Sequence, residues 1–103
     1  MAKRVKTSKY KITVTNLSDT GDEKCKCGAW LVHWRKYAKV NASVCSEVDC
    51  TKSNELVGAH VRTTKGKPVR IVPLCNSHNG SHNKIELKER TRRVLANIPK
   101  CAY

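Results

Sequence analysis

Phenylalanine is absent from this 103-residue chain, and two Trp and three Tyr are its whole aromatic complement. A core with so few large side chains is thin, so a cross-link is expected to reinforce it. Acidic residues are also scarce: 8 Asp and Glu stand against 21 Lys and Arg, a net charge of +13. A surplus of that size in a short chain argues for a polyanionic partner, nucleic acid or a nucleoprotein complex, over a merely solvated basic surface. No apolar run approaches a membrane span, and the charged start Met1-Ala2-Lys3-Arg4-Val5-Lys6 has no apolar segment behind it. Neither a membrane protein nor a secreted one is therefore expected. Internal repeats and low-complexity segments are missing too.

Cysteine, by contrast, is plentiful, with six residues. In an oxidising compartment they would read as three disulfides. In the reduced cytoplasm implied by the lack of a leader (the host cytoplasm, for a phage-encoded chain) they read as metal ligands. The strongest cluster brackets the stretch from Val57 to His82. Cys45-x4-Cys50 lies upstream, and Cys75-x2-His78 closes the second of two β-branched runs joined by a Gly-containing loop at Thr63 to Pro68. Two close ligand pairs far apart in sequence are what one tetrahedral Zn²⁺ needs, and thiolate and imidazole match its borderline softness. Four protein ligands leave no position for water, so this zinc is structural.

Taken in order, residues 1–9 read as a basic flexible arm and residues 10–103 as a single domain. Tyr10, Ile12 and Val14 alternate with Lys11, Thr13 and Thr15, the period of a half-buried strand. An acidic, turn-rich loop follows Leu17. Trp30, Trp34 and Tyr37 then recur at helical spacing within residues 29–40, and they read as core more readily than as a base-stacking platform. Cys25 and Cys27 precede His33 by eight and six residues, and Cys101 lies near the other end of the sequence. Together these four form a candidate second zinc centre. Residues 85–98 fit helical and alternating templates equally, and Pro99 ends whatever they form. The expected fold class is a small, zinc-stabilised α+β domain: an N-terminal strand, an aromatic-rich helix and a ββα unit with metal ligands at its corner.

Val57-Gly58-Ala59-His60-Val61, a hairpin loop, and Val69-Arg70-Ile71-Val72-Pro73-Leu74-Cys75 followed by His78-Asn79 resemble the HNH, or His-Me finger, nucleases with their treble-clef-like ββα-metal unit. The closest branch is the zinc-stabilised one that includes phage junction-resolving endonucleases. The resemblance covers residues 44–83, under half the chain. It implies that His60 acts as general base on the attacking water and that Asn79 holds a catalytic Mg²⁺ or Mn²⁺ against the scissile phosphate. His82 would be a further ligand or phosphate contact. Ala59 stands where the family commonly has a metal-binding Asp, and Arg70 where it has an Asn that orients the base. With neutral ligands alone, a hard cation is held weakly.

Three functions follow as expectations. One is a metal-dependent endonuclease using His60 and Asn79. The second is a non-catalytic zinc protein that binds nucleic acid, DNA ahead of RNA. Its phosphate contacts would come from Arg62, Lys65, Lys67 and Arg70 on the hairpin, from Arg90, Arg92 and Arg93, and from Lys3, Arg4, Lys6, Lys9 and Lys11 of the N-terminal segment. The third is a phage-type inhibitor docking on a host nucleoprotein or polymerase.

Overall fold

The structure, a computed structural model, describes residues 5–17, 29–41, 44–64, 66–79 and 84–96, with only the backbone of residues 77 and 79. Among them run β1 (Val5–Lys6), β2 (Ile12–Asn16), α1 (Trp30–Ala38), β3 (Leu56–Arg62), β4 (Arg70–Cys75), α2 (Asn76–Asn79), β5 (Lys84–Leu87) and β6 (Arg93–Leu95). The six strands form one antiparallel sheet in the order β1-β6-β4-β3-β2-β5. Its centre is the β3–β4 hairpin, paired from Leu56↔Cys75 to Val61↔Arg70. Val57, Val61, Ile71 and Val72 favour this hairpin, because stiff β-branched side chains suit a pleated surface packed on both sides. Gly66, at φ +93, supplies the left-handed residue of its turn.

Side chains of paired residues share a face, and register therefore assigns the two cores. His60, Ile71, Val94 and Val5 point one way, toward α1. Ile71 and Val94 join Trp34 and Ala38 in one buried cluster, against which Trp30, Leu31 and Tyr37 pack. Val14, Ala59, Val61, Val72, Leu74, Ile85 and Leu87 point the other way and form a second cluster with Cys45 and Cys75. The expectation that the aromatic residues are core is met by Trp34, which is 5% exposed. Polar pins hold the helix as well: Trp34 Nε1 donates to the Arg92 carbonyl at 2.7 Å, and an Arg92 guanidinium nitrogen donates to the Ala38 carbonyl at 2.5 Å. Gly58 lets α1 sit directly on the sheet, since a Cβ there would come within 2.4 Å of the Trp30 carbonyl carbon.

Three segments differ from, or sharpen, what the pattern implied. Val5–Lys6, within the stretch expected to be a flexible arm, forms β1 against β6; Val5 packs onto the helix-side core and so gains burial that offsets the cost of ordering. The ambiguous stretch after residue 84 resolves into β5 and β6, not a helix, because alternation puts Ile85, Leu87 and Val94 inside. The helix opened by the Cys-x2-His turn is a single turn, α2, so the long helix of a ββα unit is not present among the described residues.

Candidate metal centre and cationic pocket

Cys45, Cys50, Cys75 and His78 come together as the spacing predicts, with their ligand atoms all within 4.8 Å of one another. Cys45 Sγ lies 3.5 Å and Cys75 Sγ 3.2 Å from His78 Nδ1. A tetrahedral zinc with bonds of about 2.3 Å to sulfur and about 2.0 Å to nitrogen spaces such a pair by roughly 3.5 Å. The donor set and its spacing thus fit a structural zinc. No disulfide competes, for all three cysteines are free thiols.

Three pieces of the fold deliver the four ligands. Cys75 ends β4 and His78 follows on α2, whose His78 carbonyl accepts a hydrogen bond from Asn16 Nδ2 at 3.2 Å. The Cys45–Cys50 loop is held by backbone bonds: Cys45 N–H to the Lys52 carbonyl at 2.8 Å, Ser46 N–H to the Pro73 carbonyl at 2.9 Å, and Val48 N–H to the Glu86 carbonyl at 2.8 Å. β6 pairs with β4 only at Arg70 and Ile71. Pro73, which has no N–H to give a neighbouring strand, sits beyond that pairing, and the metal loop docks there instead.

Sequence reading missed Lys88. Its Nζ donates to the carbonyls of Cys45 at 2.6 Å, Glu47 at 2.5 Å and Cys50 at 2.5 Å, using all three ammonium protons to close the loop. A lone Lys after a strand gives no local sign of such a role, because its partners lie about forty positions away.

The thiols are electrostatically unequal. Burial pushes Cys45 up to about 11. Burial acts to raise Cys75 too, but hydrogen bonds from the His78 backbone and side chain, with the Cys45 and Cys50 thiols, outweigh it and bring Cys75 down to about 7. Of these two thiols, Cys75 is the more ready to lose its proton to a metal.

Of the remaining candidates, only some lie among the described residues. His60 lies within β3, 7% exposed, its ring edge-on to Trp30 at 4.5 Å between centroids. Asn79 ends α2, immediately after His78; its side chain, like all of Cys25, Cys27, Lys65, His82 and Cys101, falls outside the description. His33 is fully buried between Trp30 and Tyr37, and its Nε2–H donates to the Leu95 carbonyl at 2.9 Å. Its pKa is lowered, chiefly by burial.

A second site was only partly visible in the pattern of basic residues. On the sheet face away from α1, a concavity of about 410 Å³ is lined by Lys6, Arg62, Lys67, Arg70 and Arg93, with apolar walls that include Ile12, Val61 and Pro68. Strands at nearly opposite ends of the sheet order, β1 and β2, both reach it, so the sheet curls around this face. Arg90 and Arg92 lie apart, lining a shallow groove with Thr7, Ser8 and Lys9.

A small α+β domain with a candidate Cys₃His metal site and a curled antiparallel sheet is the class that fold and site define. No family model, curated protein or solved structure matches the chain.

Proposed function

We propose that this is a zinc-stapled nucleic-acid-binding protein that uses an HNH-like scaffold for binding and not for cleavage. The observation that carries the reading is the gathering of five cationic side chains around one concavity whose lining includes no carboxylate, in a chain of net charge +13. A polyanion relieves the mutual repulsion of such a surface while releasing its own counter-ions. The β-hairpin followed by a Cys-x2-His turn supports the scaffold assignment. Against a hydrolytic role stands the packing of His60. A general base must meet an attacking water, and this imidazole faces the Trp30 ring and is 7% exposed. Ala59 adds no carboxylate beside it for a hard cation.

The test is equilibrium binding to a labelled single strand between 50 and 200 mM salt, at fixed protein and zinc. Engagement of the five cations gives a log–log slope of about −3 to −4. A flat slope would end the nucleic-acid reading. Incubation with Mg²⁺ or Mn²⁺ is run in parallel, and His60-dependent cutting of the strand would overturn the non-catalytic part.

A further inference from the structure

The pocket contains an electrostatic problem that the described residues do not solve. Arg70 is 5% and Arg93 9% exposed, and they are neighbours: an Arg70 guanidinium nitrogen donates to the Arg93 carbonyl at 3.2 Å. Neither has an ion pair among the described residues, where the sole salt bridge joins Lys52 to Glu55. Arg93 Nε is buried and makes no hydrogen bond among those residues. Burial lowers both guanidinium pKa values, and for Arg70 the charge of Arg93 lowers it further. Arginine nevertheless keeps its proton in proteins. Two buried, adjacent positive charges without an anion cost several kcal/mol unless something compensates them.

Register explains how the pair arises. Val61 pairs with Arg70, and Arg93 with Lys6. All of these side chains therefore fall on the face opposite α1, the face that elsewhere buries Val72, Leu74 and Leu87. Two positions that a purely structural sheet would fill with Val or Ile carry guanidinium groups. Both line the concavity, and Lys6, Arg62 and Lys67 stand around them.

We infer that this pocket is a phosphate-recognition site, with Arg70 and Arg93 as its floor, and that its ligand is a phosphomonoester. Charge and shape both select this group. A phosphomonoester carries about −1.5 to −2 at neutral pH, matching two guanidinium charges, and its oxygens suit the forked N–H donors of arginine. An internal phosphodiester has a single negative charge, and the continuous backbone of a duplex does not enter a concavity. At about 410 Å³ the space lies in the size range of small-ligand pockets, which exceeds a bare ion. Ile12, Val61 and Pro68 offer the carbon surface against which an attached sugar or base would pack. The phosphomonoester comes either from the end of a nucleic-acid strand, which deepens and rests on the binding function proposed above, or from a free mononucleotide.

The experiment compares the zinc-loaded full chain against one labelled oligonucleotide carrying a 5′-phosphate, a 3′-phosphate or hydroxyl ends. Inorganic phosphate and adenosine monophosphate are tested separately by thermal shift against chloride at equal ionic strength. Preference of tenfold or more for one phosphorylated end, competed by inorganic phosphate, is the expected result. That preference should fall to near unity in Arg93→Gln. Because Arg93 is buried, the rim double variant Arg62→Ala/Lys67→Ala is measured beside it, with at least a threefold loss of preference expected and the fold retained. Equal affinity for all three oligonucleotides would overturn the pocket and leave general nucleic-acid binding standing. Stabilisation by phosphate or the mononucleotide without oligonucleotide binding would keep the pocket and remove the nucleic-acid reading. Absence of both responses would remove both.

Discussion

Lys88 illustrates how much a single side chain outside the ligand set can carry. Its ammonium accounts for three carbonyls in the loop that delivers Cys45 and Cys50. In Lys88→Met the stem remains but those carbonyls lose their donor. Hydrogen bonds to a charged group contribute about 1.5–3 kcal/mol, so a loss of about 2 kcal/mol in denaturant unfolding is expected, with faster surrender of the metal to a chelator. Unchanged release kinetics would show that the loop holds its shape without the lysine. Lys88 could not be recognised from its neighbours, whereas Cys45, Cys50, Cys75 and His78 could. Metal coordination imposes residue type and short spacing, and both are written locally. For His33, proximity to thiols suggested a ligand; its described contacts include the Leu95 carbonyl and the Trp30 and Tyr37 rings, and Cys25, Cys27 and Cys101 lie outside the described residues.

At the level of elements, α1 and the β3–β4 hairpin depend on one another through Gly58. The helix has no side-chain N-cap and no acidic residue in its first turn, so its own sequence does little to start it. It is held by burial of Trp34 and by its bonds to the chain around β6. Gly58→Ala puts a methyl group into the Trp30 and Leu31 backbone, and the helix must lift. The expected cost is about 2 kcal/mol or more, read by chemical denaturation, with a red shift in Trp fluorescence as Trp34 gains solvent. A variant of wild-type stability would mean that α1 docks elsewhere. The helix was readable from the spacing of Trp30, Trp34 and Tyr37, as was β2 from the alternation of Ile12 and Val14, although Tyr10, read as part of that strand, lies outside it and is 77% exposed. Residues 85–96 were not, since Ile85, Leu87, Val94 and Leu95 satisfy both periods and only pairing with β2 and β4 separates them.

For the molecule as a whole, a metal held by Cys45, Cys50, Cys75 and His78 would share the task of stability with the sheet. The wholly buried aliphatic residues Ile71, Leu74, Leu87, Val14, Val61, Val72 and Val94 make a real but small core. Structural zinc binding in small domains supplies about 10–16 kcal/mol, as much as the whole folding free energy of a typical domain. Stripping the metal with a chelator should therefore abolish the cooperative thermal transition, and Cys75→Ser should behave the same way in the presence of zinc. A chelated protein that still melts cooperatively near the original temperature would show that the sheet suffices alone.

Composition and spacing by themselves determined that the chain is basic and that its core is thin, and they pointed to four thiol and imidazole groups as one candidate metal set. These are properties of residue type and short-range order. The tertiary structure alone decided that His60 lies against Trp30 and that Lys88 closes the metal loop. It also decided that Arg70 and Arg93, twenty-three positions apart, meet at the floor of one pocket. Strand pairing brings distant residues to the same face, and no local pattern records which strand will lie beside which.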